Sequence, residues 1–279
     1  MESGHLDLES IPPGLRRELE WSKLVQEASH PRKIPKVPGF EVAGQTAPAS
    51  WNNGDFFDAI PVEPRVVTPG YRICPAEEVN HLVLLLGDAM GHGMAPALIA
   101  TELRAILRAS IRLGVHHRVL VESMNEQLCD DLPDGHFMTL LMGRLDRQRC
   151  LFRWISFGQA PLLLWREKSK KVEVMHAQRP PLGLMRMPAD YVPEVTLFDE
   201  GDVFLALSDG FFEARNGEGS CWGLEGAKNL LRKEMESAQA LATACVRCVE
   251  EFSENAPAQD DRTVLVIRRC RGEAEVGGR

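Results

Sequence analysis

From residue 40 onward, the hydrophobic positions of this chain fall mainly into short segments with the periodicity of β-strands. FEVAGQTA alternates apolar and polar residues, and LVLLLG is a continuous apolar run. Further strand-like segments follow in the order FMTLLMGRLD, CLFRWISF, PLLLWRE, VFLALS and TVLVIRR. Because so few helices separate these strands, the pattern does not fit alternating βαβ units. We predict an α+β fold, a sandwich of mostly antiparallel sheets with helices grouped outside.

Helical spacing of apolar residues interrupts the strands in three places. MAPALIATELRAILRASIRLG ends at Gly114, a residue suited to a helix C-cap, and VLVESMNEQLCDDL follows it. The last helix is predicted over about 238–253. It contains Cys245 and Cys248, the only CxxC pair, which share a helix face with apolar neighbours. We interpret this pair as core packing rather than as a zinc site.

The N-terminal residues 1–37 are charged and punctuated by prolines. Within them, 14–29 has helical periodicity, and the prolines of PRKIPKVPG prevent that helix from continuing. We predict three regions: a helical segment with a Pro-rich linker over 1–37, one domain over 38–270, and a disordered tail over 271–279.

The predicted N-terminal helix has a narrow apolar stripe formed by Trp21, Leu24, Val25 and Ala28. A helix of this length is marginal alone in water, so the stripe needs a surface to pack against. That surface is either the chain's own domain or the same helix of a second chain, which would make a homodimer. The alternative is a frayed, disordered arm.

Composition and charge narrow the classes of partner. The chain has 279 residues and a net charge of −8, with 32 Lys and Arg against 40 Asp and Glu. This balance argues against nucleic acid and against an anionic membrane surface as partners. The N-terminus has no apolar leader, and no window reaches the roughly 18 apolar residues that a membrane span requires. Seven scattered cysteines show no disulfide framework, so we expect a cytoplasmic protein.

Aspartates stand at the ends of several predicted strands. A carboxylate in such a place is costly unless it is solvated or paired, and a sandwich can bring strand ends to one edge. Clustered carboxylates are usually neutralised by a hard divalent cation, Mg²⁺ or Mn²⁺. The alternative is a set of solvated turns, since Asp and Gly are common turn residues. The aspartates concerned are Asp55, Asp58, Asp88, Asp209, Asp260 and Asp261.

The glycine-rich segment LLLGDAMGHG (84–93) does not match the common phosphate-binding loops. No Lys-Ser/Thr follows its glycines, and Pro96 stands where a dinucleotide fingerprint has its third glycine. Its aspartate therefore points to chemistry other than a backbone phosphate cradle.

Taken in chain order, the motifs resemble the PPM-type metal-dependent protein serine/threonine phosphatases, above all the bacterial branch typified by SpoIIE and RsbU. NGDFFDAI resembles that branch's Gly-Gly-Asp-aromatic-aromatic-Asp motif, and LLLGDAMGHGMAPAL resembles its Gly-Asp-x-x-Gly-His-Gly-x-x-Ala helix entry. The resemblance covers about residues 38–268. The other matching segments, in the family's order, are FMTLLMGRLD, ISFGQAPLLLW, PPLGL, GDVFLALSDGFFEARN, WGLEG and DDRTVLVIRR.

The resemblance implies a β-sandwich with a centre of two Mn²⁺ or Mg²⁺ ions at one edge. It places Asp88 as the carboxylate that bridges both ions, with the carbonyl of Ala89 as a further ligand. It places Asp55 on one ion, and Asp209 and Asp260 on the other. Two more aspartates are outer-shell or water-holding candidates, namely Asp58 and Asp261.

Two cations of this kind activate a water for attack on phosphorus without a covalent phosphoenzyme. His92 either protonates the leaving serine oxygen or holds a water, or it only hydrogen-bonds the loop backbone. The other histidines, including His116 and His117, have no ligand partners at short spacing and are expected at the surface.

The chain departs from the family pattern in three places. Asn53 replaces a glycine, which the turn tolerates if Asn adopts a positive φ. Gln159 stands where a histidine is usual, and it cannot titrate near neutral pH. The segment 61–81 is longer than a tight hairpin, and forms either a flap beside the metals or, as we prefer, a surface loop.

The leading hypothesis is a metal-dependent phosphatase of phosphoserine and phosphothreonine in proteins. The resemblance implies that its substrate is a STAS-domain anti-sigma-factor antagonist in a partner-switching pathway. One alternative is a non-catalytic protein that keeps the fold for binding. The other is a hydrolase of small phosphate esters.

Overall fold

Two antiparallel β-sheets stack face to face in the computed structural model, which describes residues 12–31, 33–64, 71–74, 77–91, 93–188, 190–254 and 256–271. The α+β sandwich predicted from the sequence is confirmed. None of the helices in these ranges is long and apolar enough to cross a bilayer.

The first sheet has five strands in the spatial order β1-β11-β10-β7-β8, and every neighbouring pair is antiparallel. Its strands are β1 (Phe40–Ala47), β7 (Leu162–Arg166), β8 (Lys171–Met175), β10 (Val203–Leu207) and β11 (Arg262–Arg269).

The second sheet has six strands in the order β3-β2-β4-β5-β6-β9, again antiparallel throughout. The central strand β4 pairs on both sides, and its apolar run is almost fully buried, as the sequence LVLLLG predicts. The strands are β2 (Asp55–Pro64), β3 (Tyr71–Ile73), β4 (His81–Ala89), β5 (Met138–Asp146), β6 (Leu151–Phe157) and β9 (Glu194–Leu197).

Helices cover the outer face of each sheet. The helix pattern after Gly93 is confirmed, and Gly114 caps its C-terminus with a left-handed φ of 71°. The short helix α4 and the helix α5 were not predicted as helices. The helices are α1 (Pro13–Ser29), α2 (Met94–Leu113), α3 (His117–Asp131), α4 (Asp209–Phe212), α5 (Gly223–Leu231) and α6 (Ala238–Phe252).

The apolar core lies in three layers. The middle layer fills the space between the sheets, with Leu84, Phe152 and Phe204 among its members. The second layer packs α2 and α3 on the outer face of the second sheet. The third packs α5 and α6 on the first sheet and contains buried Cys245, which confirms that the CxxC pair belongs to the core.

Helix α1 contacts the domain through its polar side, whereas its apolar stripe faces outward. Buried Gln26 hydrogen-bonds the backbone of Asn53 twice, and Ser22 donates to the Asn52 side chain. Trp21 remains 62% exposed. The expectation that the stripe packs on its own domain is therefore wrong, because amide hydrogen bonds rather than apolar area hold this helix. The rest of the stripe, Leu24, Val25 and Ala28, is also exposed.

Within 61–81, residues 65–70 and 75–76 lie outside the described part. The described part extends β2 to Pro64 and adds β3, which pairs with the C-terminal half of β2. Asp55 begins β2 at its opposite end. The described residues of this segment are thus remote from Asp55, which excludes them from a flap beside it.

Candidate metal centre

Asp55 and Asp88 face each other across neighbouring strands at one edge of the second sheet. Asp55 is the first residue of β2, and Asp88 is the penultimate residue of β4. The two are direct cross-strand partners in the antiparallel register. Like charges in such a pair are destabilising, so stability alone does not account for them.

The first sheet brings its own carboxylates to the same edge. Strand β10 ends at Leu207, and Asp209 opens α4 two residues later, while Asp260 precedes β11. The two chain segments are joined where the Ser208 amide donates to the Thr263 carbonyl at 2.9 Å. Asp209 and Asp260 are close enough to Asp88 for their charges to shift its pKa.

We call four residues the carboxylate cluster: Asp55, Asp88, Asp209 and Asp260. Burial and mutual repulsion oppose the charged forms of these acids. Burial raises the pKa of Asp88 to about 10, and the other three charges act in the same direction. Burial also raises the pKa of Asp55 to about 8, against hydrogen bonds from Ser208 and Thr263 that favour its charged form. The pKa of Asp209 is raised by burial and then by Asp260.

The donor chemistry fits a hard divalent cation. Oδ2 of Asp55 is buried and has no hydrogen-bond partner, and a cation would supply the missing interaction. Among the described residues, no three His, Cys, Asp or Glu side chains already converge as a ligand set. A bound ion would therefore have to draw these carboxylates together from their present positions. The carbonyl of Ala89 lies beside this cluster, 3.1 Å from the position that a Cβ on Gly54 would occupy.

Two glycines permit the close approach of the segments that carry the carboxylates. A Cβ on Gly210 would lie 2.1 Å from the carbonyl oxygen of Asp261, so only glycine lets α4 start against the segment before β11. A Cβ on Gly54 would lie 2.9 Å from Pro96, the third residue of α2. Both glycines stand next to a cluster aspartate in sequence, which explains the Gly-Asp and Asp-Gly pairs.

Asp261 fixes the loop that precedes β2. Its Oδ1 accepts from the Ala49 amide and its Oδ2 accepts from the Gly54 amide, both at 2.7 Å. The side chain is buried, and it joins the start of β11 to the segment that presents Asp55. This placement is compatible with the predicted outer-shell role, which stays a prediction.

Asn53 supports the same loop in a way that the sequence reading did not anticipate. Its φ is not positive, so the tolerance of asparagine for that conformation is not what lets it replace glycine. Instead its Oδ1 accepts from the Asp55 amide at 2.8 Å, and its backbone is held by Gln26 of α1. Gln26 was missed because its contact joins residues far apart in sequence.

Asp58 does not join the cluster. Residues three apart in a strand point to opposite faces, so Asp58 turns toward α2 whereas Asp55 turns toward the first sheet. Arg108 donates to both oxygens of Asp58 at 2.6 and 2.7 Å, and Arg104 lies 3.1 Å away. The proposed outer-shell place for Asp58 is therefore wrong, and the alternation of strand residues is the signal that could have shown it.

Gln159 links the two sheets directly behind the cluster. Its Nε2 donates to the Leu207 carbonyl in the first sheet, and its Oε1 accepts from Thr139 in the second, both at 2.7 Å. Thr139 is the cross-strand partner of Asp88, on the side away from β2. A neutral amide can serve both sides at once because it carries a donor and an acceptor. His92 lies outside the described residues.

Comparison with known proteins agrees with this architecture. The family described as Stage II sporulation protein E (SpoIIE) matches residues 78–270, which is most of the chain. The chain belongs to the SpoIIE family. Its fold is that of the PP2C-type, or PPM, phosphatase domains.

Three relatives illustrate the similarity. The phosphoserine phosphatase RsbP of Bacillus subtilis is 23% identical over 141 residues, which are 49% of this chain and 34% of RsbP. The SiaA PP2C domain of Pseudomonas aeruginosa superposes with a TM-score of 0.71 at 19% identity, covering 91% of this chain and 97% of that domain. RsbX in complex with magnesium superposes with a TM-score of 0.57 at 11% identity, covering 84% of this chain and 98% of RsbX. The chain thus spans about a third of the length of RsbP.

Proposed function

We propose that this protein is a metal-dependent protein phosphatase that hydrolyses phosphoserine and phosphothreonine. The observation that carries the proposal is the meeting of four carboxylates, two from each sheet, at one edge of a PP2C-type sandwich. Membership of the SpoIIE family supports the same reaction class.

The chain's own residues divide the work at this edge. Asp88 would contact both ions. Asp55 would contact one of them, and Asp209 and Asp260 would contact the other. Bound Mn²⁺ or Mg²⁺ would supply an activated water and positive charge against the phosphate oxygens. Asp261 would hold the loop before Asp55 in place. His92, by resemblance, would protonate the leaving oxygen or hold a water.

Buried Cys245 does not offer an alternative nucleophile at the cluster. Burial raises the pKa of the Cys245 thiol, which lies in the core between α6 and the first sheet. A thiol with a raised pKa forms little thiolate at neutral pH and is a poor nucleophile. Hydrolysis by a water is the route that the family resemblance implies, and Cys245 offers no competing one.

For the substrate, we propose a phosphorylated STAS-domain anti-sigma-factor antagonist. The sequence resemblance to the SpoIIE and RsbU branch suggests it, and RsbP, a relative of this chain, is named as a phosphoserine phosphatase. Magnesium is a candidate ion because related RsbX is found in complex with it. Manganese remains the other candidate.

Assay of the purified protein with and without Mn²⁺, Mg²⁺ and EDTA tests the proposal. The substrates are a phosphorylated STAS domain, a phosphoserine peptide and p-nitrophenyl phosphate. We expect metal-dependent release of phosphate, fastest from the STAS domain. Binding of phosphoprotein without turnover would favour the non-catalytic alternative, and turnover of the small ester alone would favour the ester hydrolase.

A further inference from the structure

A cavity of about 280 Å³ lies between the helical layer and the outer face of the second sheet, away from the carboxylate cluster. Ile111 of α2, Val115 of the α2–α3 connection and Leu120 of α3 form its helical side. Val83 of β4 and Met142 of β5 form part of its floor. Val83 precedes Asp88 by five residues on the same strand, which is about 17 Å. The cavity is therefore too remote to share the reacting phosphate.

Two arginines stand together at this mostly apolar cavity. Arg144 of β5 and Arg153 of β6 line it and are direct cross-strand partners. Like charges directly opposite each other destabilise a sheet, so the pair is not explained by folding stability. Both residues share a strand face with cavity residues, Arg144 with Met142 and Arg153 with Ile155.

Only one of the two arginines is neutralised. Arg144 lies 3.5 Å from Asp146, donates to Nδ1 of His81 at 2.9 Å and stacks over the Tyr71 ring at 4.6 Å. The side chain of Arg153 makes no ion pair and no hydrogen bond with any residue of the described ranges, and it is exposed. Its guanidinium is thus available to an anion, whereas Arg144 is held in place by its neighbours.

Positively charged groups act on His117, a residue that lines the cavity, although the chain carries a net charge of −8. Burial lowers the pKa of His117, a lining residue, to about 4, and His116, Arg118, Arg153 and Arg144 lower it further in the same direction. Helix α3 begins at His117, so its positive end also faces this region. The expectation that His116 and His117 are plain surface residues is incomplete, because both line the cavity.

We propose that this cavity binds a small organic anion, one with an apolar body and a carboxylate, sulfonate or phosphate group. The apolar walls accept the body, and Arg153 together with Arg144 contacts the anionic group. The size of the cavity suits a compact molecule rather than a peptide. The site is separate from the proposed phosphatase centre and does not depend on it.

The probe for this test is 8-anilino-1-naphthalenesulfonate, an apolar aromatic molecule with one fixed negative charge. Its fluorescence is titrated with the full chain, in parallel with N-phenyl-1-naphthylamine, which has the same aromatic body without the sulfonate. We expect saturable binding of the sulfonate at one site per chain and weaker binding of the neutral molecule.

Two variants separate the contribution of the Arg153 charge to probe binding from that of the apolar cavity. Arg153→Gln should weaken binding of the sulfonate roughly tenfold, because a charged hydrogen bond is lost, and should leave the neutral molecule unaffected. Val115→Trp places an indole at the cavity and should weaken both probes. Arg247→Gln is the matched control, since it removes the same charge from the exposed side of α6, which covers the other sheet.

Each pattern of results has a defined meaning. Equal binding of the sulfonate by wild type and Arg153→Gln overturns the proposal, because the bound probe then lies elsewhere, for instance on the exposed face of α1. Weaker binding of the sulfonate by Arg153→Gln but not by Val115→Trp also overturns the proposal, since the anion would then be bound at the surface alone. Circular dichroism of all variants confirms that each one is folded.

Discussion

At the scale of single residues, neighbouring Asp260 and Asp261 have different surroundings. Both carboxylate oxygens of Asp261 accept hydrogen bonds from backbone amides of the loop before β2. The charge of Asp260 raises the pKa of Asp88 and of Asp209, and its Oδ1 accepts a hydrogen bond from the Asp261 amide. One side chain therefore shapes the loop while the other belongs to the carboxylate cluster.

The first prediction concerns Asp88. Asp88→Asn should abolish hydrolysis of p-nitrophenyl phosphate in Mn²⁺, because the proposed bridging carboxylate is lost. The melting temperature without metal should stay the same or rise, since burial and the three neighbouring carboxylates already oppose the charged form of Asp88. Asp130→Asn, at an exposed position of α3, serves as the control. Turnover near that of wild type would rule out a bridging role for Asp88.

The second prediction separates the roles of Asp209, Asp260 and Asp261. Asp209→Asn and Asp260→Asn should lose activity as Asp88→Asn does, whereas Asp261→Asn should lose less. Asp261→Asn should instead lower the free energy of unfolding by about 1–3 kcal/mol, because one buried amide loses its acceptor. Urea unfolding and phosphatase assays measure both effects. An essential Asp261 with a dispensable Asp260 would show that the two roles are exchanged.

At the scale of elements, α1 is attached to the domain in an unusual way. Its buried contact is made by Gln26 with Asn53, two residues before Asp55. Its apolar side chains are exposed, with Trp21 at 62% and Leu24 at 57%. The helix therefore contacts the loop before Asp55 with polar groups and presents an apolar face to solvent.

The third prediction tests the polar contact. Gln26→Ala should reduce metal-dependent turnover, because the Asn53 backbone loses two hydrogen bonds and the loop before Asp55 becomes less fixed. Glu27→Ala is the control, since Glu27 is exposed on the same helix turn. Turnover and thermal unfolding are measured together. Unchanged turnover in Gln26→Ala would mean that α1 does not position the loop.

The fourth prediction tests whether α1 mediates a homodimer. The exposed stripe should pack against the same helix of a second chain, because an apolar face of this kind gains from burial. Trp21→Glu and deletion of residues 1–30 should both lower the solution mass without unfolding the domain. Light scattering provides the measurement. Equal masses for all three proteins would leave the stripe without a role in assembly.

At the scale of the whole molecule, the proposed metal centre belongs to neither sheet alone. Asp55 and Asp88 come from the second sheet, and Asp209 and Asp260 flank strands of the first. Gln159 adds a direct hydrogen-bonded link between the sheets behind them. Binding of ions at this edge should therefore stabilise the sandwich as a unit.

The fifth prediction follows from this shared edge. Saturating Mg²⁺ or Mn²⁺ should raise the melting temperature in a single transition. Ion at 100 times its Kd should add about 2.7 kcal/mol to the free energy of unfolding. EDTA should reverse the shift, and Asp88→Asn should not show it. A shift of equal size in Asp88→Asn would place the bound ions elsewhere.

Most strands and the long helices could be predicted from sequence because their periodicity is local. LVLLLG indicates a strand buried on both faces, and Gly114 marks the end of α2. Strand-end aspartates, together with the family resemblance, also predicted which acids the fold would gather. The interactions of Gln26, Gln159 and Asp261 could not be predicted, since each joins residues distant along the chain. The place of Asp58 was predictable from strand alternation alone.

Strand β4 runs from the floor of the cavity at Val83 to Asp88, hydrogen-bonded on both sides along its length. A strand fixed in this way cannot slide, so it would transmit little displacement between its ends. Helix α2 is different: it is about 30 Å long, contacts the cavity at Ile111, and starts directly after the loop that follows Asp88. Of the two elements that reach both regions, α2 is therefore the one that could shift as a unit relative to the sheet.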